Sequence, residues 1–284
     1  MTWWQAAILG VVEGLTEYLP VSSTGHLILT AWLLGLNPDP TLAEAAEIKR
    51  AVDAFNIVIQ AGAIAAVLGL YRSRVVHMVR GLAGKDEAGL KLAVALIVAF
   101  VPAAVLGPVL AGPIKGYLFA PWPVIAALAI GGVLCIAVGR RRKRMEDAAT
   151  LEIEDVGWRV GLVIGLAQCV AMWPGTSRSM MTIVAALLLG LRAKAAAEFS
   201  FLLGLVTLGA ATVYDGMNDG HLILEHIGWS NLVVGFVAAT ISAALAVHWF
   251  VGFLTRKGLE PFGWYRLVLA AVMGGLIVGG VMSF

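Results

Sequence analysis

The chain has 284 residues, of which 60% are hydrophobic and only 13% are charged, and its formal net charge is +2. The mean hydropathy of +0.89 excludes a soluble globular fold and is typical of a polytopic helical membrane protein. We therefore predict an all-α fold in a membrane, and the small net charge gives no reason to expect a nucleic-acid partner.

Two blocks of the chain share one pattern, in which a polar break containing proline separates two short apolar helices. The predicted helices are residues 2–18 and 24–36 in the first block, and residues 157–172 and 177–191 in the second. Pro20 and Pro174 are 154 positions apart, as are Ser23 and Ser177, and a Leu-Leu-Gly-Leu string recurs after 155 positions. This agreement predicts an inverted repeat. Its parts are a first repeat at residues 1–139, a basic loop at 140–157 and a second repeat at 158–284.

The two breaks lie within apolar sequence, and this position predicts how each block is inserted in the membrane. Irregular backbone at membrane depth is tolerated only where protein or a cavity surrounds it, so we predict that each block is a re-entrant hairpin. About six longer apolar runs are predicted to span the membrane fully: residues 55–70, 92–110, 122–138, 199–213, 232–254 and 267–281. Three of these spans separate the hairpins, so we expect the hairpin tips to meet near the membrane midplane from opposite sides.

The basic residues give the predicted orientation. Of the 20 Lys and Arg residues, 16 fall on one side of this topology, including Arg266 near the last loop, and three fall on the other. Because positive residues concentrate on the cytoplasmic side, the run at residues 140–144 is predicted to be cytoplasmic, with both termini outside. We interpret this run as a topology signal, with lipid recognition as the alternative. Arg178 is the remaining cation and lies within the second break.

The first predicted helix carries Glu13 and Glu17, which share one face because they are four residues apart. Ionisable groups in an apolar helix are costly and usually functional. Two neighbouring carboxylates can bind a hard divalent cation such as Mg²⁺ or Ca²⁺, or one of them can serve in proton transfer. The alternative is that both glutamates face water at the membrane interface.

The first break continues into a cluster of hydroxyl groups and a histidine. Ser22, Ser23 or Thr24 is expected to cap the following helix, whose free N–H groups and positive dipole end favour an anion. His26 lies three residues after Ser23 on the same helical face, where it can exchange a proton with an oxygen. A purely structural histidine is the alternative.

The second break repeats this design around a fixed cation. Arg178 offers a planar fork suited to phosphate oxygens, and Gly175 permits a close backbone approach. Arg178 could instead pair with Glu13 or Glu17. The other candidates for binding substrate are Thr176, Ser177, Ser179 and Thr182 in this region, and Gln60 in the following span of the first half. Gln60, like Asn56 and Ser200, either lines the cavity or forms interhelical hydrogen bonds.

At these motifs the sequence resembles the bacitracin-resistance family of bacterial undecaprenyl pyrophosphate phosphatases. The matching segments run from Glu13 to Glu17, from Leu19 to His26 and from Pro174 to Ser179. The resemblance implies an enzyme of the bacterial cytoplasmic (inner) membrane that removes the terminal phosphate of C55 isoprenyl pyrophosphate and depends on a divalent metal. It also implies bacitracin resistance, an active site open to the outer face, and essential roles for five residues: Glu13, Glu17, Ser23, His26 and Arg178.

The sequence leaves several points of mechanism open. Ser23 is our first choice as nucleophile, with Glu17 or His26 as its base, while attack by water or by His26 itself are the alternatives. A transporter or flippase of a phosphorylated isoprenyl lipid is the rival function, because broken helices in inverted repeats are typical of transporters. The metal, the preferred lipid length and the formation of a homodimer are also left open.

Overall fold

The computed structural model describes residues 1–36 and 45–281, and α-helices dominate both ranges. In chain order the helices are α1 (Trp3–Thr16), α2 (Ser23–Leu33), α3 (Ala45–Leu70), α4 (Arg72–Leu82), α5 (Glu87–Tyr117), α6 (Pro121–Arg140), α7 (Arg142–Ala148), α8 (Trp158–Val170), α9 (Arg178–Leu188), α10 (Ala193–His226), α11 (Trp229–Lys257) and α12 (Glu260–Val278). The predicted all-α class is therefore confirmed.

Within the described ranges, six helices are long and apolar enough to cross a membrane: α3, α5, α6, α10, α11 and α12. This finding confirms the predicted multi-pass membrane protein and the predicted number of full spans. Each predicted apolar run lies inside one of these helices, apart from the last residues of the final run, where α12 ends at Val278.

The four helices that flank the two breaks are much shorter than these spans. They contain 14, 11, 13 and 11 residues in α1, α2, α8 and α9. At about 1.5 Å per residue, none reaches across a hydrocarbon core of roughly 30 Å. The short helices therefore occur where the sequence predicts them, while their re-entrant course stays a prediction.

The two short-helix pairs share one register. α1 and α8 begin at Trp3 and Trp158, and α2 and α9 begin at Ser23 and Arg178, so both starts are 155 positions apart. The predicted pairing of Ser23 with Ser177, at a spacing of 154, is wrong by one residue. The proline match suggested that spacing, whereas the backbone pairs Ser22 with Ser177, both of which are helix N-caps with positive φ.

Glycines bring each pair against its supporting span. Gly14 of α1 lies against the backbone of α11, and Gly165 of α8 lies against the Ala99 carbonyl of α5. A Cβ atom at either glycine would collide with those neighbours. Small residues permit such close backbone approach between membrane helices, so α1 and α8 are held firmly on different spans.

One predicted position is wrong. The charge pattern assigns Arg266 to the cytoplasmic group beside the last loop, but Arg266 lies within α12 and is fully buried. The prediction failed because a charge count cannot separate a loop cation from one that protein atoms surround. Without Arg266, 15 basic residues remain on that side of the predicted topology.

Candidate active site

The two breaks are in direct contact. Ser179 donates a hydrogen bond of 2.7 Å from its hydroxyl to the Leu19 carbonyl, and the Ser177 hydroxyl lies 3.4 Å from the same oxygen. Leu19 belongs to the first break, whereas Ser177 ends the second break and Ser179 lies in the first turn of α9, about 160 positions further along the chain. The fold therefore combines the two motif segments into one site.

Glu17 is the residue on which both halves converge. Its Oε2 accepts a hydrogen bond of 2.6 Å from the Ser23 hydroxyl, and its Oε1 pairs with Arg178 Nη2 at 3.1 Å. Ser23 and Arg178 are the first residues of α2 and α9, so one carboxylate joins the two helix starts. The side chain of Glu17 is only 5% exposed, which strengthens both interactions relative to those in water.

Glu13 lies one turn before Glu17 and is fully buried. Neither of its carboxylate oxygens makes a hydrogen bond of regular geometry. The polar groups beside them are the Glu17 carboxyl and the Gln60 amide, and Arg178 acts on Glu13 through its charge. A buried carboxylate without a partner is costly, so Glu13 requires either a proton or a cation. Gln60 of α3 therefore lies beside Glu13 of α1, and whether it contacts substrate stays a prediction.

Arg178 is held on several sides. Nη1 donates to the Ser200 carbonyl at 2.9 Å, and the guanidinium lies 5.3 Å from the centre of the Tyr18 ring. A Cβ atom on Gly204 would lie 2.8 Å from both terminal nitrogens, so glycine is needed there for this fit. The buried Nε has no partner, which leaves one donor free. The pairing of Arg178 with a glutamate, predicted as an alternative, is present with Glu17.

His26 has a defined orientation. Its Nδ1 lies 2.7 Å from the Ser22 carbonyl, and its Nε2 lies 2.6 Å from the Tyr265 hydroxyl. A carbonyl can only accept, so Nδ1 carries the hydrogen and, in the neutral ring, Nε2 accepts from Tyr265. His26 therefore contacts neither Glu17 nor Ser23 through these bonds.

Tyr265 is a site residue that no motif in the sequence indicates. It stacks on His26 with ring centres 5.5 Å apart and lies in α12, far from both motifs. The Tyr265–Arg266 pair lies just before the predicted run at 267–281, so the rule that ionisable groups within a span are functional did not single it out.

The backbone is strained where each short helix begins. Ser22 and Ser177 have φ values of 72° and 76°, and they are the positive-φ residues other than glycine in the described chain. Such a conformation costs on the order of 1–3 kcal/mol and persists only when the surroundings enforce it. The Ser177 hydroxyl accepts from the Met180 N–H at 3.3 Å and caps α9, whereas the Ser22 side chain makes no capping bond.

The remaining predicted substrate-binding residues divide by environment. Thr182 is buried and shares a 2.7 Å hydrogen bond with Ser200, which identifies Ser200 as an interhelical contact. Gly175 has a φ of 94°, and its close approach is to α6, where a Cβ atom would lie 2.5 Å from the Val124 carbonyl. Thr24 is half-buried in the first turn of α2, and Thr176 is buried in the second break. Contact of these residues with substrate stays a prediction.

The donor set fits a hard cation only in part. Glu13 and Glu17 offer carboxylate oxygens, but the described residues contain no group of three or more His, Cys, Asp or Glu side chains suited to a metal. Mg²⁺ is commonly bound by one or two carboxylates together with phosphate oxygens and water. The glutamate pair therefore suits a cation that substrate helps to bind.

Comparison with known proteins agrees with these motifs. A family model described as "Bacitracin resistance protein BacA" matches residues 6–272. The chain belongs to the BacA family. It is 48% identical to an undecaprenyl-diphosphatase of Sorangium cellulosum over 96% of this chain and 86% of that one. It is 43% identical to an undecaprenyl-diphosphatase of Nitrosomonas europaea, over 96% of each chain. The resemblance inferred from the BacA-type motifs is therefore confirmed.

Proposed function

We propose that the chain hydrolyses undecaprenyl pyrophosphate to undecaprenyl phosphate and inorganic phosphate. The product, undecaprenyl phosphate, is the lipid carrier used in cell-wall synthesis. We propose that this hydrolysis also gives bacitracin resistance. The observation that carries this proposal is the cluster of Glu17, Ser23 and Arg178, beside a free Arg178 donor and the unpaired oxygens of Glu13. A phosphate can accept from the free donor, and a cation can satisfy the free oxygens.

Two helix N-termini and one guanidinium offer groups that favour phosphate binding. α2 and α9 both begin at the cluster, and the free N–H groups and dipole of a helix N-terminus favour anions. Arg178 adds a fixed charge at the start of α9, held by the Ser200 carbonyl. Phosphoryl transfer depends mainly on this kind of positioning and charge stabilisation.

The geometry favours Ser23 as nucleophile and Glu17 as its base. The Ser23 hydroxyl already donates to Glu17 at 2.6 Å, whereas His26 is turned toward Ser22 and Tyr265. In this route Ser23 Oγ attacks the terminal phosphorus, its proton passes to Glu17, and the bond from that phosphorus to the bridging oxygen breaks. Undecaprenyl phosphate leaves with the bridging oxygen. Water then hydrolyses the phosphoserine, which releases inorganic phosphate and restores the hydroxyl.

A divalent cation, Mg²⁺ or Ca²⁺, would be held by Glu13 and Glu17. When bound, it supplies positive charge that neutralises the phosphate oxygens. Its binding would satisfy the two carboxylate oxygens of Glu13 that lack partners. Glu17 would then divide its oxygens between the cation, Ser23 and Arg178.

We further propose that the protein lies in the bacterial inner membrane with its site open to the periplasmic face. This side of the membrane is what the family resemblance implies. Within the site, Tyr265 beside His26 is half-exposed, while Glu13 and Glu17 are buried. The isoprenyl chain would lie among the spanning helices, with its pyrophosphate at the breaks.

The rival function is transport of a phosphorylated isoprenyl lipid, for which the two broken-helix blocks are the supporting observation. A transporter needs a binding cation such as Arg178, but it does not need the bond between Ser23 and Glu17. The deciding test is phosphate release by purified protein in detergent, with C55 and shorter isoprenyl pyrophosphates, with and without a chelator. Chelator-sensitive release supports hydrolysis. Lipid transfer in vesicles without any release would support transport.

A further inference from the structure

We propose that Arg266 is a positioning residue that holds the two breaks in register, so that Ser23 and Arg178 both reach Glu17. This inference rests on the proposed phosphatase activity and adds a residue that lies outside both motifs. Arg266 belongs to α12, which packs against α6 and carries neither break.

One guanidinium group binds both breaks at once. Arg266 Nη1 donates to the Pro20 carbonyl at 3.3 Å, and Nη2 donates to the Gly175 carbonyl at 2.8 Å. Pro20 and Gly175 are 155 positions apart, and each lies two residues before a strained serine, Ser22 or Ser177. Arg266 thus contacts the equivalent carbonyl in each break.

The same side chain ties the breaks to a spanning helix. Nε donates to the Leu128 carbonyl at 3.2 Å and Nη2 donates to the Ala127 carbonyl at 3.0 Å, and both carbonyls belong to α6. These bonds use donors on all three nitrogens of the guanidinium. Arg266 is also fully buried, so contact with a lipid pyrophosphate is not its role.

The environment shows why the cation is retained. Within the described chain no carboxylate pairs with Arg266, and its hydrogen bonds go to four backbone carbonyls. A buried charge without a counter-ion is expensive, and a neutral side chain of similar volume would avoid that cost. What a neutral side chain cannot supply is several donors in a planar fork, reaching three separate backbone segments.

Gly131 of α6 provides an independent way to disturb this contact. A Cβ atom on Gly131 would collide with the guanidinium of Arg266, so alanine there displaces the group without removing its charge. The adjacent Gly132 is a matched control, because the three atoms nearest to a Cβ atom there belong to Gly263 and Leu267 of α12. Both substitutions crowd the contact of α6 with α12, but only Gly131→Ala places its new methyl group against the Arg266 guanidinium.

The experiment measures kcat, KM and Tm in detergent for wild type, Arg266→Lys, Arg266→Met, Gly131→Ala and Gly132→Ala. Misplacement of catalytic groups by about 1 Å can cost on the order of 10²-fold in rate. We therefore expect about 10²-fold lower kcat for Arg266→Lys and Gly131→Ala, with KM within about threefold, because geometry at the reacting atoms is lost and phosphate binding is kept. Arg266→Met should be slower still, and Gly132→Ala should keep its kcat.

Each outcome decides the question. Unchanged kcat in Arg266→Lys and Gly131→Ala overturns the inference, as does a rise in KM alone, which would indicate substrate contact. Loss of rate in Gly132→Ala equal to that in Gly131→Ala would indicate general crowding and also overturn it. If the Arg266 variants do not fold, Gly131→Ala against Gly132→Ala decides. Absence of phosphate release by wild type would refute the proposed function itself, whereas wild-type release with unaltered variants refutes this inference alone.

Discussion

The two breaks share one backbone and carry different chemistry. Both follow a short helix, contain a positive-φ serine and lead into an 11-residue helix. At the first position of that helix, one has Ser23 and the other has Arg178, and these two side chains bind opposite oxygens of Glu17. The difference shows that the same local backbone can carry reactive groups in one half of the chain and a fixed positive charge in the other.

The comparison extends one helix upstream. Glu13 in α1 and Gln168 in α8 are 155 positions apart, both are buried, and neither has a hydrogen-bond partner for its side-chain end. The carboxylate can balance a cation, whereas the amide cannot. The first half therefore holds the negative charge of the site, and the second half supplies the positive charge.

The hydroxyl groups also differ between the halves. The hydroxyls of Ser177 and Ser179 are directed to the Leu19 carbonyl, so they join their own segment to the backbone of the opposite break. Ser23 instead donates to a carboxylate that can take its proton. Substitutions in the first break should therefore act on chemistry, and serine substitutions in the second should act on stability.

The largest expected effect is at Ser23. Ser23→Ala should lower kcat by about 10³-fold, because general-base-assisted attack by its hydroxyl is lost. Phosphate release in detergent measures the loss, and acid-quenched enzyme reports which residue carries phosphate. Ser177→Ala is the control from the equivalent break and should lose much less. A phosphoenzyme that maps to His26, or a Ser23→Ala enzyme with normal turnover, would contradict the assignment.

Glu13→Gln gives α1 the residue type that α8 has at the equivalent position, Gln168. We expect about 10²-fold lower activity, since a charged group beside the phosphate is removed. Titration of Mg²⁺ separates the two roles that the sequence leaves open. If Glu13 binds the cation, excess Mg²⁺ should restore part of the rate. If Glu13 transfers a proton, the rate should not respond, and the proposed cation site would be contradicted.

Tyr265→Phe should reduce kcat by roughly tenfold or less, because it removes one hydrogen bond of the order of 1 kcal/mol from His26. The same change uncovers Nε2, so His26 should react faster with diethylpyrocarbonate. Tyr214→Phe, at an exposed tyrosine of α10, is the control. Unaltered modification of His26 would show that Tyr265 does not cover this nitrogen.

The smallest effect on rate is expected for Ser179→Ala. It removes the buried bond to the Leu19 carbonyl, so the free energy of unfolding should fall by about 1–3 kcal/mol while kcat changes only a few-fold. Thermal unfolding in detergent, followed beside phosphate release, measures both quantities. A large loss of kcat with unchanged Tm would place Ser179 in the chemistry and remove the contrast between the breaks.

Much of this arrangement could be predicted from sequence, because it follows local rules. The apolar runs located six spans, and the proline and serine clusters located both breaks within a few residues. Glu17, Ser23 and Arg178 could be chosen because polar groups at membrane depth need a function.

The contributions of α12 could not be predicted. Tyr265 and Arg266 reach the site only because α12 packs on α6, which is a long-range contact with no local motif. The one-residue error at Ser23 and Ser177 has a similar cause. Matching residue types identified the prolines as equivalent. The positive φ that pairs Ser22 with Ser177 cannot be predicted from the residue type, because serine rarely adopts it.

The positive φ angles at Ser22 and Ser177 have a practical consequence for protein engineering. Glycine adopts this conformation freely, so Ser22→Gly relieves local cost in the folded state without removing a capping bond, whereas Ser177→Gly would also remove the cap of α9. A screen for variants that survive longer in detergent will therefore select substitutions at Ser22. Such variants are more stable but lack a hydroxyl beside the helix N-terminus. Selection by melting temperature alone will therefore favour stable proteins with an altered catalytic centre.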